Sequence, residues 1–238
     1  MPTTTTEHSI KQFDVDLESL RSRMLQMGGL VESQILAAID GFYNGNLQAL
    51  DQVVENDRRV NGFEVSIDNE CSHIIARRQP AAGDLRMILG VGKAVTDLER
   101  VGDEAKKIAV VSKQIHESGR LQIPRLADIR RAGGIVVSML RKALDAFARL
   151  DAVAAAEVIR DDAAIDEAFR GMMRQLITFM MEDPRTISTA FEIVWVARSL
   201  ERMGDHSKNV AEQVIYIVKG TDVRHTTFAD LDREVAKD

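Results

Sequence analysis

An all-α fold made of two tandem, sequence-related three-helix bundles, six helices in all, is what this sequence predicts. Three observations carry the prediction. Apolar residues recur at three- and four-residue spacing along nearly the whole chain. The composition is rich in Leu, Ala, Ile, Val, Met, Arg, Asp and Glu, with 5% aromatics and 4 prolines, which favours helices over sheets. The first half of the chain also recurs, residue pattern by residue pattern, in the second.

The first helix is expected over about 8–43, where Phe13, Leu17, Leu20, Met24, Met27, Val31, Ile35, Ala38 and Phe42 form one stripe. Gly45-Asn46 breaks it. The second, about 47–77, presents Val53, Val60, Phe63, Ile67, Cys71 and Ile74. Pro80 and Gly83 mark a loop, after which Asp84 is placed to cap a third helix reaching about 117. Residues 117–124, ESGRLQIP, form the mid-chain boundary, with Pro124 suited to the first turn of a fourth helix ending near 149. A fifth follows over about 152–181. Asp183-Pro184 opens a sixth, which Gly220 terminates.

The repetition divides these six into two groups. MGGLVESQILAAIDGF from Met27 matches AGGIVVSMLRKALDAF from Ala132, 105 positions later, and the same offset carries Asp57 and Asn61 onto Asp162 and Asp166. By LERVGDEAKKIA (98–109) and LERMGDHSKNVA (200–211) the offset is 102, so the second copy has lost about three residues around the loop between its second and third helices, where loops tolerate such changes. The expected units are 8–118 and 124–220, with 1–7 and the polar stretch 221–238 as flexible tails.

With 238 residues, 45% of them hydrophobic, the chain can bury a substantial core. Its net charge of −6 argues against non-specific nucleic-acid binding; Arg77-Arg78 and Arg130-Arg131 are too short to reverse that and read as solvated helix ends. Cys71 is the only cysteine and falls among apolar residues, so it is expected in the core. MPTTTTEHSIKQF has no basic stretch followed by an apolar run, and no apolar run approaches the ~20 residues of a membrane span, so a cytoplasmic location is expected.

The chemistry concentrates in repeated acid pairs. Residues four apart share a helix face, with Cβ atoms roughly 5–6 Å apart. Glu99 and Asp103 therefore point the same way, as do Glu201 and Asp205, and Asp57 with Asn61 or Asp162 with Asp166 form matching rows on the preceding helix. Glu64 and Asp68 extend the first row. Antiparallel neighbours about 8–10 Å apart would gather each set. Two carboxylates 4 Å apart repel by roughly 4 kcal/mol at an effective dielectric of 20, which protonation or a bound cation relieves. Such oxygen-rich sites suit Mg, Ca, Mn and iron, admit Zn, and allow a multinuclear centre of divalent ions. Gly102 and Gly204 sit inside helices at a cost of about 1 kcal/mol each, which close approach of a neighbouring helix or a metal cluster would justify. The competing reading is a solvated acidic face with Asp103 paired to Lys106 or Lys107.

Glu70-x-x-His73 has the spacing of carboxylate-bridged di-iron oxidases, but those need two copies and only one occurs, so a carboxylate-bridged metalloenzyme is the weaker alternative. His206 has no counterpart at Glu104 and reads as exposed. No nucleophile triad, Walker loop or dinucleotide fingerprint is found, and no catalytic residue is assigned.

RQPAAGDLRMILG (78–90), TDLERVGDEAKKIA (96–109), MMEDPRT (180–186) and ARSLERMGDHSKNVAE (197–212) together resemble the PhoU family of phosphate-transport regulators, over about residues 10–220. The resemblance implies a non-enzymatic, cytoplasmic negative regulator of the phosphate-starvation response and of phosphate uptake. Its implied partners are the ATPase subunit of a phosphate ABC transporter and a sensor histidine kinase, PhoR, reached at the inner face of the membrane; a homodimer is implied as well. It also implies iron or zinc clusters at the acid motifs, here Glu99, Asp103, Glu201 and Asp205 with Asp57, Asn61, Asp162 and Asp166; Asn61 departs from an acid, so the first site is expected to hold metal more weakly. A metal-free scaffold that meets its partners through the same acidic faces is the remaining alternative.

Overall fold

Seven α-helices follow one another in the computed structural model, which describes residues 4–117 and 127–237, with side chains from Gln12 onward. They are α1 (Thr4–Asn44), α2 (Leu47–Arg78), α3 (Ala82–Glu117), α4 (Ala127–Arg149), α5 (Ala152–Glu182), α6 (Ile187–Lys219) and α7 (Phe228–Val235), with a single 3-10 turn at Pro184–Thr186; no strand occurs among the described residues. The expected breaks act as local chemistry requires. Gly45 has a φ of 69° and Asn46 caps α2 by accepting the Ala49 N–H at 3.1 Å. Asp151 caps α5 through the Ala154 N–H at 2.9 Å, and Gly220, at φ 78°, ends α6. Asp84 is not the cap expected of it: α3 begins at Ala82, and Asp84 lies within the first turn, where its charge favours the N-terminal dipole. The expected boundary at Gly119 and Pro124 lies outside the described residues.

The six-helix expectation is corrected to seven. Residues 221–237 are not a loose tail: the Thr227 side chain caps α7 at the Asp230 N–H, and Leu231 and Val235, four apart, are buried where α7 meets α5 and α6. Two apolar residues in a polar stretch are too few to show periodicity, yet they suffice to dock a helix of two turns.

Helices α1, α3, α6 and α4 form a closed ring of neighbours, with α2 laid on α1 and α3, and α5 on α4 and α6. The longest packing seam joins α3 to α6, so the two three-helix groups share one hydrophobic core. The repeated Gly-Gly explains the α1–α4 contact. A Cβ on Gly28 would stand 2.6 Å from the Leu144 side chain, and one on Gly133 would collide with Ile39, the position equivalent to Leu144. Cys71 is buried as expected, and burial pushes its thiol up to about 12.

Candidate acidic sites

Two equivalent clusters form where α2 meets α3 and where α5 meets α6. Their inner faces are fixed by glycine. A Cβ on Gly102 would lie 3.2 Å from Val60 of α2, and one on Gly204 would lie 2.7 Å from Ile165 of α5, so both glycines answer to the neighbouring helix. Val95, Leu98, Ala105 and Ala109 bury the rest of the α3 stripe, which leaves Glu99 and Asp103 half-buried on its border.

In the first cluster, Asp57 is buried and its Oδ2 accepts Lys106 Nζ at 2.7 Å, while its Oδ1 is buried without a partner. Asn61, one turn along, likewise has a buried, unpartnered Oδ1. Desolvation, then the charge of Asp103, and further Glu64 and Asp57, push the Glu99 carboxyl up against the opposing pull of Arg100. Burial and Asp68 do the same to Glu64. Acids of the two helices therefore act on one another, Asp57 and Glu64 of α2 on Glu99 of α3.

The second cluster repeats this with local differences. Asp162 Oδ2 accepts Lys208 Nζ at 2.8 Å, and its Oδ1 is buried and unpartnered. Glu201 is buried, takes Arg198 at 2.7 Å on Oε1 and leaves Oε2 unpartnered. Asp166 is half-buried and pairs with Arg170 at 3.4 Å, and Asp205 is exposed. Desolvation, then Asp205, Asp166 and Asp162, raise the Glu201 carboxyl against Arg198. Asp205 is raised by desolvation and by Asp162, with Lys208 opposing.

The residues that sequence reasoning misplaced are the lysines. Lys106 pairs with Asp57 rather than with Asp103, and Lys107 pairs with Glu104 at 2.9 Å. The signal was present, since a lysine stands three places after Asp103 and again three after Asp205, in LERVGDEAK and LERMGDHSK. His206 is not simply exposed either: its Nδ1 lies 2.9 Å from Asp97 Oδ1 on α3. His73 is exposed, with Nδ1 2.8 Å from the Asn69 carbonyl, and Glu70 is engaged by Arg23 and Ser19, so the lone ExxH stands apart from both clusters.

As the side chains stand, no group of three or more His, Cys, Asp or Glu among the described residues is arranged to hold a metal ion. The donor chemistry nevertheless suits a hard cation. All the side chains offer oxygen, and four buried oxygens, on Asp57, Asn61, Asp162 and Glu201, lack partners, which is costly unless something positive approaches them. In each cluster a lysine ammonium supplies part of that charge. No helix among the described residues is long and apolar enough to cross a membrane.

A family model described as "PhoU domain" matches the chain twice, at residues 24–111 and 129–214. The chain is 48% identical over 231 residues to a Burkholderia protein described as a phosphate-specific transport system accessory protein PhoU homolog, covering 96% of this chain and 97% of that protein. It is 40% identical over 230 residues to the Escherichia coli (strain K12) phosphate-specific transport system accessory protein PhoU, covering 97% and 95%. Among solved structures, PhoU from Pseudomonas aeruginosa superposes with a TM-score of 0.84 at 47% identity, over 88% of this chain and 100% of that one.

Proposed function

This chain belongs to the PhoU family, and from that premise we propose that it is a non-enzymatic, cytoplasmic accessory protein of a phosphate-specific transport system that restrains phosphate uptake and the phosphate-starvation response. In this reading it is an adaptor between the ATPase subunit of a phosphate ABC transporter and a PhoR-type sensor histidine kinase. It acts as a homodimer and meets the inner membrane through those partners. The observation that carries the reading is the pair of equivalent acidic faces, each with buried oxygens left unpartnered on a close-packed helical frame. A preorganised surface with unsatisfied acceptors favours binding a positively charged group over transforming a small molecule. The test is capture of the purified ATPase subunit and of the kinase's cytoplasmic portion by the wild type and by a Glu99→Ala/Asp103→Ala/Glu201→Ala/Asp205→Ala variant. Binding of at least one partner, weakened tenfold or more in the variant with its helical signal unchanged, is expected. Equal binding by both proteins overturns the role given to the acidic faces.

The unpartnered oxygens favour a second element. We propose that Asp57, Asn61, Glu99 and Asp103 in one cluster, and Asp162, Asp166, Glu201 and Asp205 in the other, hold divalent or iron/zinc ions, more than one per cluster, with Lys106 and Lys208 displaced when they do. Bound ions would supply the positive charge that these acids lack and would offset the negative charge of the surface. Elemental analysis of untagged protein purified without chelator, beside Glu99→Ala/Glu201→Ala, tests this. Metal lost in the variant is the expected result, and metal-free wild type that still captures its partners removes metal from the mechanism.

A further inference from the structure

The chain's single tryptophan faces solvent. Trp195 is 65% exposed, and Phe191 (57%) and Ile187 (41%) precede it at four-residue spacing on α6. On α5, whose C-terminal end turns directly into α6, Ile177 (47%) and Met181 (80%) repeat the spacing. Arg198 of α6 lies over the Phe169 ring of α5 at 5.7 Å, and Ile177 lies two steps further along the i, i+4 row that starts at Phe169. These five side chains are held out of the core, and exposed apolar groups of this size mark interaction surfaces. Trp, Phe and Met are also the residues that enrich interface centres. The first half carries only part of this pattern: Phe191 corresponds to Leu89, which is exposed, but Trp195 corresponds to Lys93.

The surrounding charges select the occupant. Arg174 is matched by Glu167, Arg185 by Asp183 and Arg198 by Glu201. An anionic membrane surface is bound by uncompensated cations, which this rim lacks. A two-fold pairing instead requires a surface that complements itself, and a rim carrying both signs in balance does so. At about 200 Å² for a large apolar side chain, the exposed fractions amount to roughly 500–600 Å² per chain. Two copies would bury about 1,100 Å², above the roughly 1,000 Å² that a specific interface needs.

We propose that Ile177, Met181, Ile187, Phe191 and Trp195 form the surface through which two copies of this chain pair. This rests on the homodimer in the reading above and names its surface. The experiment is sedimentation equilibrium of the full chain for the wild type, Phe191→Glu, Trp195→Glu and the control Leu36→Glu, an exposed apolar residue of α1, with Trp195 fluorescence followed over the same concentrations in the three proteins that keep the tryptophan. A dimer is expected, with tryptophan emission shifting to the blue as it forms. Phe191→Glu and Trp195→Glu should weaken it at least tenfold at unchanged helical signal, and Leu36→Glu should leave it intact. A wild type that is monomeric at every concentration overturns the pairing and the surface together. A dimer equally tight in both Glu variants retains the pairing and overturns the surface. Flotation with anionic vesicles that is lost in Trp195→Glu assigns the patch to a membrane and overturns the proposal.

Discussion

Glu104 Oε2 on α3 accepts a hydrogen bond from the Ser199 hydroxyl of α6 at 2.8 Å. The same relationship returns with the helices exchanged. Asp97 is the equivalent of Ser199 and His206 the equivalent of Glu104, each 102 positions apart, and His206 Nδ1 lies 2.9 Å from Asp97 Oδ1. The internal duplication has become an approximate two-fold relation across the α3–α6 seam, and diverged side chains have kept a hydrogen bond at each equivalent place.

Glu104 is buried and also takes Lys107 at 2.9 Å and Arg202 at 3.2 Å. Stranding a wholly buried charge costs roughly 3–5 kcal/mol, but Lys107 and Arg202 are about half exposed and water takes over part of their pairing when Glu104 is removed. Glu104→Ala is therefore expected to destabilise the fold by about 1–3 kcal/mol, and Glu104→Gln, which keeps an acceptor for Ser199, by less. Urea unfolding followed by circular dichroism reads both. Equal midpoints for wild type and Glu104→Ala would show that the seam does not depend on this contact.

The two motif glycines should respond differently to alanine. A helical Gly→Ala exchange gains about 1 kcal/mol in propensity, and overpacking costs about 1–3 kcal/mol. At Gly102 the added Cβ meets Val60 Cγ1 at 3.2 Å, so the terms nearly cancel and Gly102→Ala is expected within about 1 kcal/mol of wild type. At Gly204 it meets Ile165 Cγ2 at 2.7 Å, on a β-branched side chain with little rotamer freedom in a helix. Gly204→Ala is expected to be clearly destabilised. Shaving the δ-methyl with Ile165→Val leaves the clashing Cγ2 in place and should not rescue it, whereas Ile165→Ala combined with Gly204→Ala should cost less than the two single changes added together. Additivity in that double-mutant cycle would remove helix approach as the reason for the glycine.

The helices and the acid clusters were legible because both leave periodic traces: the α1 stripe from Leu20 to Ala38 is buried as its spacing predicts, and Glu99 and Asp103 lie on the border of the α3 core. What escaped was set by partners distant in sequence. Lys106 reaches Asp57, 49 residues away, and His206 reaches Asp97, 109 residues away; no local pattern chooses among the acids available to them. Helix α7 escaped because Leu231 and Val235 gain their burial only from the cleft that α5 and α6 provide.

The lysines in the clusters set up a competition. Lys106 already neutralises buried Asp57, and Lys208 neutralises Asp162. Without metal, Lys106→Ala strands Asp57 and is expected to lower stability by about 1–3 kcal/mol, less than a wholly buried pair because Lys106 is partly exposed. A cation entering the cluster no longer has to displace an ammonium, so added Mn²⁺ should raise the melting temperature of Lys106→Ala and Lys208→Ala more than that of wild type; at 100 times Kd the gain is about 2.7 kcal/mol. Thermal melts with Mn²⁺ and with chelator compare the three proteins. A larger Mn²⁺ shift in the wild type would count against cation binding at these acids.

Glu212 connects the C-terminal segment to pH. It is buried, whereas its equivalent in the first half, Val110, is exposed, and the difference is the cover supplied by residues 221–237. Glu212 lines a cavity of about 270 Å³ with Asp162, Lys208, Val223, Arg224 and Leu231. Burial pushes its carboxyl from an ordinary 4.5 up to about 7, with Lys208 opposing, Asp222 and Asp97 adding to the rise and Arg224 opposing. Below pH 4.5 the acid is neutral in both the folded and unfolded chains and costs nothing. As pH climbs from 4.5 towards 7 the unfolded chain ionises first, and the fold loses stability until the folded pKa is passed. The full loss is at most roughly 3 kcal/mol at 1.36 kcal/mol per pKa unit. Glu212→Gln is therefore expected to stabilise the protein by about 1–3 kcal/mol near pH 8 and to change little near pH 4. A chain ending at Gly220 loses the cover over Glu212, so its own Glu212→Gln exchange should be nearly neutral at both pH values. Thermal denaturation across this range compares the four proteins; a Gln variant of the full chain with the wild-type pH slope would show that Glu212 is not the group responsible.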